Sequence, residues 1–314
     1  MTVYITGDRH GAYSGIIAWG KMMNLTSEDT VIVLGDNGVN FIMGWVDYKL
    51  RKKLGKCAWN WFLIRGNHDM RPEDAFNRTP ADAYQGECSN PRAHTEVWFD
   101  NEVLVENEMN SNIKYAIDGN IYTINGEKCL VIGGGYSTDK WYRLENSIPW
   151  FLNEQLSSEE MDAIYQIYCA NHVDVILSHV APVSYETDIR HLWMDSGGIK
   201  NGAENIDKTM EIWMNKFLWD EVNVIKRWYF GHCHANINCA DGSGVMLYDV
   251  AIPFGDKAPD LYTLENDVRT EKQKKKVQSI FVTEVKLCSE CGRIKDKPGV
   301  PYRCQAYLAG ICPD

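Results

Sequence analysis

The chain has 314 residues, of which 45% are hydrophobic, and it carries a formal net charge of −11. That length exceeds what a single core usually fills, so we expect one large catalytic domain with a smaller appendage. The acidic charge argues against long polyanionic partners such as nucleic acids, which bind through a basic face, and no run approaches the ~18 apolar residues of a membrane span.

Three apolar runs near the start of the chain are each followed by polar side chains. The runs, Val3–Thr6, Val31–Leu34 and Trp61–Ile64, are rich in β-branched or aromatic residues. Short runs of this kind that end before a loop are typical of buried strands. The patterns at 15–23 and 46–54 predict crossover helices between them. The motifs that follow the three runs are Asp8-Arg9-His10, Gly35-Asp36 and Gly66-Asn67-His68-Asp69.

The middle of the chain predicts a series of shorter strands. Residues 113–117, 121–124 and 129–132 have successive strand patterns. The sequences between them, Asp118-Gly119-Asn120 and Asn125-Gly126, are typical of hairpin turns. We therefore expect two consecutive hairpins in this part of the chain.

Two further predicted strands end at histidines. A helix with a capping sequence that begins at Ser157 leads into the strand 173–177. An amphipathic pattern at 204–220 precedes the strand Arg227–Phe230. The residues that follow these two strands are Ser178-His179 and Gly231-His232-Cys233-His234.

The polar residues at these strand ends are the ligands that a two-metal site requires. A pair of divalent cations roughly 3.5–4 Å apart can bind phosphate oxygens and activate a bridging water. Such a site combines hard carboxylate and amide oxygens with imidazole nitrogens. Two close dications also repel each other unless an anion lies between them. Asp36 is the natural bridging carboxylate, because its block has no other acidic residue.

In their order, these motifs resemble the calcineurin-like metallophosphoesterases, whose pattern is D-x-H, G-D, G-N-H-D/E, a lone His and G-H-x-H. The resemblance covers residues 1 to about 250. It implies an α/β fold, a central β-sandwich flanked by helices, and phosphoester hydrolysis by a metal-bridging hydroxide, with His68 as the general acid. The ligands that it implies are Asp8, His10, Asp36 and His234 for one metal, and Asp36, Asn67, His179 and His232 for the other.

The second block departs from the common family pattern. Many members have G-D-x-x-D-R there, in which the later Asp orients the general-acid His and the Arg contacts phosphate. In this chain, Val39 and Asn40 stand at those two positions. The chain thus resembles a branch of small bacterial and phage enzymes with a G-D-x-G second motif, as does its stretch from Gly133 to Arg143. The substrate of the phosphoprotein phosphatases therefore does not carry over.

The expected substrate is a small phosphate ester, cleaved by phosphatase or phosphodiesterase chemistry. Candidate phosphate contacts are Arg9, Asn40 and Arg143. Manganese is the leading metal, with iron, zinc or nickel as alternatives, because mixed nitrogen and oxygen ligands do not select sharply among them. Two other functions stay open: a nuclease on DNA or RNA with the same metal core, and a non-catalytic scaffold, which should have lost a ligand or the general acid.

The last part of the chain changes character after Phe254. We assign residues 1–254 to the catalytic domain and 255–314 to a tail with a predicted strand at 280–285. The tail cysteines could bind a small structural zinc, but they lack a second C-x-x-C pair, which favours plain thiols that pack or stay exposed. These cysteines are Cys288, Cys291, Cys304 and Cys312. With no predicted leader or membrane span, we expect a cytoplasmic protein.

Overall fold

The computed structural model describes residues 1–42, 44–77, 93–106, 111–189, 206–239 and 242–259. Its helices are α1 (Ser14–Met22), α2 (Trp45–Leu54), α3 (Pro72–Asn77), α4 (Lys140–Glu145), α5 (Ser158–Ala170) and α6 (Thr209–Trp219), with a 3₁₀ helix at Val183–Tyr185. Its strands are β1 (Val3–Thr6), β2 (Thr30–Leu34), β3 (Asn60–Ile64), β4 (Ala93–Trp98), β5 (Asn101–Glu106), β6 (Ile113–Ala116), β7 (Ile121–Ile124), β8 (Glu127–Ile132), β9 (Val175–Ser178), β10 (Arg227–Phe230), β11 (Ile237–Cys239), β12 (Gly244–Met246) and β13 (Ala251–Pro253).

The strands form two mixed sheets. The first has the order β13-β1-β2-β3-β6-β5-β4 and the second the order β11-β12-β10-β9-β8-β7. Neighbours β1, β2 and β3 run parallel, as do β8, β9 and β10. Strands β2 and β3 are buried along their whole length, which explains why their sequences are continuous apolar runs rather than alternating ones.

The sheets pack face to face, with helices on both outer faces. Side chains such as Leu34 in the first sheet and Leu177 in the second share the core between the sheets. Helix α1 packs on the outer face of the first sheet, where Ile17 joins Val33, and helices α5 and α6 cover the second. The predicted α/β fold with a central β-sandwich is confirmed.

One of the two predicted hairpins is confirmed. Strands β7 and β8 are antiparallel neighbours, and Ile124 lies opposite Glu127. The two residues between them, Asn125 and Gly126, both have positive φ, 49° and 83°. This is the backbone that a type I′ turn requires, and Asn-Gly adopts it readily.

The other predicted hairpin is wrong, because β6 and β7 lie in different sheets. The turn at Asp118 instead carries the chain from the first sheet to the second. Its carboxylate accepts hydrogen bonds from the Gly133 N–H, at 2.7 Å, and from Arg65 Nη2, at 2.9 Å. The local sequence correctly predicted a turn, but a turn signal does not determine which sheet receives the next strand.

The final described strand returns the chain to the first sheet. Strand β13 pairs antiparallel with β1, and Phe254 and Ala258 are buried in the core between the sheets. The backbone of Ala258 exchanges two hydrogen bonds with the Asn238 side chain. The predicted 280–285 strand and the four tail cysteines lie outside the described residues, and the domain boundary stays a prediction. None of the described helices is long and apolar enough to cross a membrane.

Candidate metal centre

The predicted ligands follow the carboxyl ends of strands in both sheets. Asp8, Asp36 and Asn67 come after β1, β2 and β3 of the first sheet. His179 follows β9 and His232 follows β10 in the second. Because each set of strands is parallel, the turns of each sheet lie at one edge, and the two edges meet at these side chains.

Several of these turns hold non-glycine residues in the left-handed backbone region. The φ angles are 44° at His10, 47° at Asp36, 68° at His232 and 54° at His234. Such a conformation is uncommon for residues with a Cβ and costs on the order of 1–3 kcal/mol each. Four such residues lie at the strand ends. These turns therefore adopt an unfavourable backbone conformation that places their side chains in the centre.

Two motif glycines are required by close approach to these side chains. A Cβ on Gly231 would contact the Oδ1 atom of Asp8, and a Cβ on Gly35 would contact the ring of His179. In both cases the contact is shorter than real side chains tolerate. The glycines of the G-D and G-H motifs therefore let a neighbouring strand end bring its own polar side chain into the centre.

A first group of polar atoms contains Asp8, His10 and His234. The Nε2 atoms of the two histidines are 3.0 Å apart, and His234 Nε2 lies 3.2 Å from Asp8 Oδ2. Asp8 Oδ1 accepts the His232 N–H at 2.8 Å. The other oxygen, Oδ2, is buried and has no hydrogen-bond partner. A buried carboxylate oxygen without a donor beside imidazole nitrogens is the environment that a bound cation would complete.

A second group contains Asn67, His179 and His232. Asn67 Oδ1 lies 2.8 Å from His179 Nε2 and 3.1 Å from His232 Nδ1, and the two ring nitrogens are 3.3 Å apart. The other nitrogen of His179, Nδ1, is 2.8 Å from the Leu34 carbonyl oxygen. Because a carbonyl can only accept, Nδ1 carries a proton, and Nε2 is the ring nitrogen that faces the centre.

Asp36 lies between the two groups. Its Oδ2 is 3.4 Å from His10 Nε2, and its Oδ1 is 3.5 Å from His179 Nε2. Each oxygen of this carboxylate thus faces one group. The donor set of carboxylates, one amide oxygen and imidazoles fits divalent metal ions, with an anion where two of them would repel each other.

The charges of the centre favour cation binding. Burial lowers the pKa of His10 and of His232 to about 3, so both rings are neutral at pH 7. Burial alone would raise the pKa of Asp36, but His179, His68 and His10 outweigh it and hold that pKa below its ordinary value. The pKa of Asp8 is likewise lowered, since His179 and His234 outweigh its burial. Ionised carboxylates and neutral imidazoles are both in the form that binds metal.

A family model described as calcineurin-like phosphoesterase matches residues 1–236. The chain belongs to this family. No curated protein matches the chain. Among solved structures, a protein of unknown function from Aquifex aeolicus is similar, with 14% identity over 57% of this chain and 80% of that one. The TM-score of 0.26 is too low to support any argument.

In this calcineurin-like phosphoesterase, the amide of Asn67 is oriented by a residue that the sequence did not single out. Asn67 Nδ2 donates to Ser137 Oγ at 2.9 Å, which turns Oδ1 toward His179 and His232. Ser137 Oγ donates in turn to Glu154 Oε2 at 2.5 Å. The only advance signal was the resemblance of the Gly133 to Arg143 stretch to one branch of the family.

His68, the expected general acid, lies beside the first group. Its backbone N–H donates to Asp36 Oδ1 at 2.8 Å, and its Nε2 is 3.5 Å from Asp139 Oδ1. Burial alone would lower the pKa of His68, but Asp36 and Asp139 outweigh it and raise that pKa. His68 also falls within 4.8 Å of His10 and Asp36 as a third potential ligand. Distance alone therefore does not separate a ligand from a proton donor here.

The last residue of the third motif, Asp69, joins two of the ligand turns. One oxygen, Oδ2, accepts the N–H groups of Asn37 at 2.9 Å and Gly66 at 3.0 Å. The other, Oδ1, accepts the Gly38 N–H at 3.0 Å. The carboxylate thus holds the turn after β2 against the turn after β3.

The three candidate phosphate contacts each have partners within the fold. Arg9 donates to the backbone carbonyls of Gly7, at 3.2 Å from Nε, and of Tyr248. Asn40 is buried, and its Oδ1 lies 3.4 Å from Arg51 Nη1. Arg143 is fully buried and lies on the His68 side of the centre. Contact of these residues with substrate stays a prediction.

Proposed function

We propose that the protein is a dinuclear metal-dependent hydrolase of small phosphate esters. Asp8, His10, Asp36 and His234 would hold one dication. Asp36, Asn67, His179 and His232 would hold the other. The family supports metal-dependent phosphoester hydrolysis in general, and three overlapping His and Asp groups support divalent metal binding.

The observation that carries the proposal is the position of Asp36. One of its oxygens faces the group of Asp8, His10 and His234, and the other faces the group that contains His179. A structural carboxylate buried this deeply would be expected to pair with a donor on each oxygen. Asp36 instead meets imidazole nitrogens at 3.4 and 3.5 Å, together with one backbone N–H.

In the proposed reaction, the residues around the metals position the ester and manage a proton. When bound, two dications would supply a water of lowered pKa and offset charge on the phosphate. The oxygen of a water bonds to phosphorus as the P–O bond to the leaving group breaks, and His68 gives its proton to the leaving oxygen. His68 then ends the step neutral and regains a proton from solvent.

Manganese is the metal that we propose first, with iron, zinc and nickel as alternatives. A small substrate is favoured over a nucleic acid because the net charge of −11 would repel a long polyanion outside the centre. The local cations would still attract a single phosphate group. We also propose a cytoplasmic location.

The test is a hydrolysis screen of the metal-reconstituted protein. The metal-stripped chain is loaded separately with Mn²⁺, Fe²⁺, Zn²⁺ or Ni²⁺ and offered monoesters, diesters, cyclic nucleotides and oligonucleotides. We expect turnover of a small ester that requires metal, with the stripped protein as the control. Cleavage of oligonucleotides alone would support a nuclease. Two bound metal ions without turnover of any ester would support a scaffold and contradict the proposal.

A further inference from the structure

His68 lacks the partner that the second block usually provides. Val39 stands where an orienting Asp is expected. It is 1% exposed and packs with Val33 in the apolar cluster on the outer face of the first sheet. Asn40, the next residue, accepts a hydrogen bond from Arg51 through its side-chain oxygen. The Val39 side chain has no polar atom that could hydrogen-bond the His68 ring. A proton donor without an orienting partner would sample several ring positions, so another residue is needed to hold it.

The carboxylate of Asp139 lies beside the His68 ring. Asp139 Oδ1 is 3.5 Å from His68 Nε2, and it is buried with no hydrogen-bond partner. Catalytic hydrogen bonds are often long before substrate binds and shorten in the reacting complex. An acceptor at this distance, with no other donor bonded to it, is placed to receive the ring N–H.

The ordinary role of an Asp at this position is absent. Asp139 is the N-cap residue of α4, where an Asp side chain normally accepts a backbone N–H of the first turn. Here the side chain makes no capping hydrogen bond. The carboxylate is directed instead toward His68 on one side and toward Arg143 Nη1, at 3.7 Å, on the other.

Arg143 and Phe41 lie near the His68 ring. The centre of the His10 ring lies 5.1 Å from that of His68 in an edge-to-face contact. Arg143 is held by the Pro149 carbonyl oxygen, 2.7 Å from Nε, and by Ser137 Oγ, 2.9 Å from Nη1. Its guanidinium lies 5.3 Å from the centre of the Phe41 ring. That ring lies 5.7 Å from the ring of His68, tilted by 30°. The Asp139 carboxylate and the Phe41 ring therefore both lie beside His68, and the buried Arg143 guanidinium lies near each of them.

We propose that Asp139 is a positioning residue for His68 and replaces the acidic residue that the second block lacks. This inference rests on the proposed function. Asp139 accepts one ring N–H and fixes the tautomer and the plane of the imidazole, so that the opposite nitrogen faces the leaving oxygen. A water oxygen bonds to phosphorus as the P–O bond to the leaving group breaks, the proton of that nitrogen passes to the leaving oxygen, and Asp139 remains ionised throughout.

The test compares Asp139→Ala and Asp139→Asn with Glu145→Gln. Glu145 is an exposed residue at the other end of α4, so this control removes one negative charge from the same helix. Rates are measured on aryl and alkyl phosphate esters with graded leaving groups. We expect Asp139→Ala to lower kcat about 10–100-fold for the poorest leaving group and much less for 4-nitrophenyl phosphate. Asp139→Asn, which keeps an acceptor, should recover part of the rate, and Glu145→Gln should match the parent.

Two further measurements separate positioning from damage to the fold. Metal content should be unchanged in both Asp139 variants. In the double variant with His68→Ala, the loss should equal that of His68→Ala alone, because Asp139 acts only through that ring. Equal losses for all leaving groups, or losses that multiply in the double variant, would overturn the proposal.

A readout without turnover distinguishes this inference from the proposed function. The ring nitrogen NMR signals of His68, assigned by their loss in His68→Ala, should shift in Asp139→Ala but not in Glu145→Gln, both in the metal-free and in the Mg²⁺-treated protein. If the parent hydrolyses no ester while these signals shift, the proposed function fails and the positioning stands. If the parent is active while neither signals nor leaving-group dependence change in Asp139→Ala, the positioning fails.

Discussion

The turns that carry predicted metal ligands, here the turns after β1, β2 and β10, place their side chains differently from the segment 133–154. The turns after β1, β2 and β10 use strained backbone and close glycine contacts, so His10, Asp36 and His232 are fixed by the path of the main chain. The 133–154 segment uses side-chain hydrogen bonds, through Ser137 and Glu154, to reach the same centre. Backbone placement demands fixed residues at fixed spacing, whereas a side-chain network can be built in several ways.

The largest effect is expected from a ligand turn. Asp36→Asn should abolish both metal binding and turnover, because it weakens a carboxylate whose two oxygens face the two groups of ligands. Metal content and hydrolysis rate are measured together. Asp162→Asn, on the exposed surface of α5, is the matched control. Two metal ions retained at a normal rate would contradict the bridging role.

The next effect tests whether His68 belongs with the ligands. His68→Ala should leave the metal ions bound and lower the rate by roughly two to four orders of magnitude for poor leaving groups. An activated aryl ester should lose less, because its leaving oxygen needs less protonation. The control is His172→Ala, whose ring is 69% exposed. Loss of one metal equivalent in His68→Ala would show that His68 is a ligand.

A smaller effect is expected from the 133–154 segment. Ser137→Ala removes the acceptor that orients the Asn67 amide, so the affinity for one metal ion should fall about 10–100-fold. The affinity of the other site should change little, which a metal titration can resolve as two binding steps. Ser184→Ala, at an exposed position, is the control. Equal loss at both sites would mean that the segment stabilises the whole centre rather than one ligand.

The smallest effect on the centre is expected from a carboxylate outside both regions. Burial raises the pKa of Glu211 in α6 to about 7, and its Oε2 is buried without a hydrogen-bond partner. The folded state therefore holds this proton more tightly than the unfolded state, and stability falls as pH rises from the ordinary value of 4.5 through about 7.

Glu211→Gln should accordingly increase the free energy of unfolding by about 1–2 kcal/mol at pH 8 and by little at pH 4. Denaturant unfolding at the two pH values measures the difference. Metal content and rate should stay those of the parent. A stability gain that is equal at both pH values would show that lost packing or hydrogen bonding, rather than ionisation, dominates at this site.

The sequence predicted well those parts of the structure that are determined by residues close together in the chain. Strands β1, β2 and β3 are continuous apolar runs, and the ligands follow them at once, so periodicity and motif order were sufficient. The turn at Asp118 was recognised, but its destination in the second sheet depends on distant partners at Arg65 and Gly133.

The partners of Asn67 and His68 could not be predicted for the same reason. Ser137 lies 70 positions from Asn67 in the chain, and neither a serine nor an aspartate after a glycine-rich stretch has a characteristic spacing to a metal motif. The amide orientation of Asn67 likewise depends on which donor or acceptor faces it in space. Such contacts are visible only after the two sheets have been assembled.

Because the edges of the two sheets meet at the metal centre, metal binding should affect the stability of the whole fold. Asp8, which follows β1 of the first sheet, accepts the N–H of His232, which follows β10 of the second, across 224 positions of the chain. A cation held by ligands from both sheets would act as a non-covalent cross-link that closes this long loop. Its binding energy would then add to the free energy of unfolding of the whole sandwich, so the loaded protein should melt at a higher temperature than the stripped one.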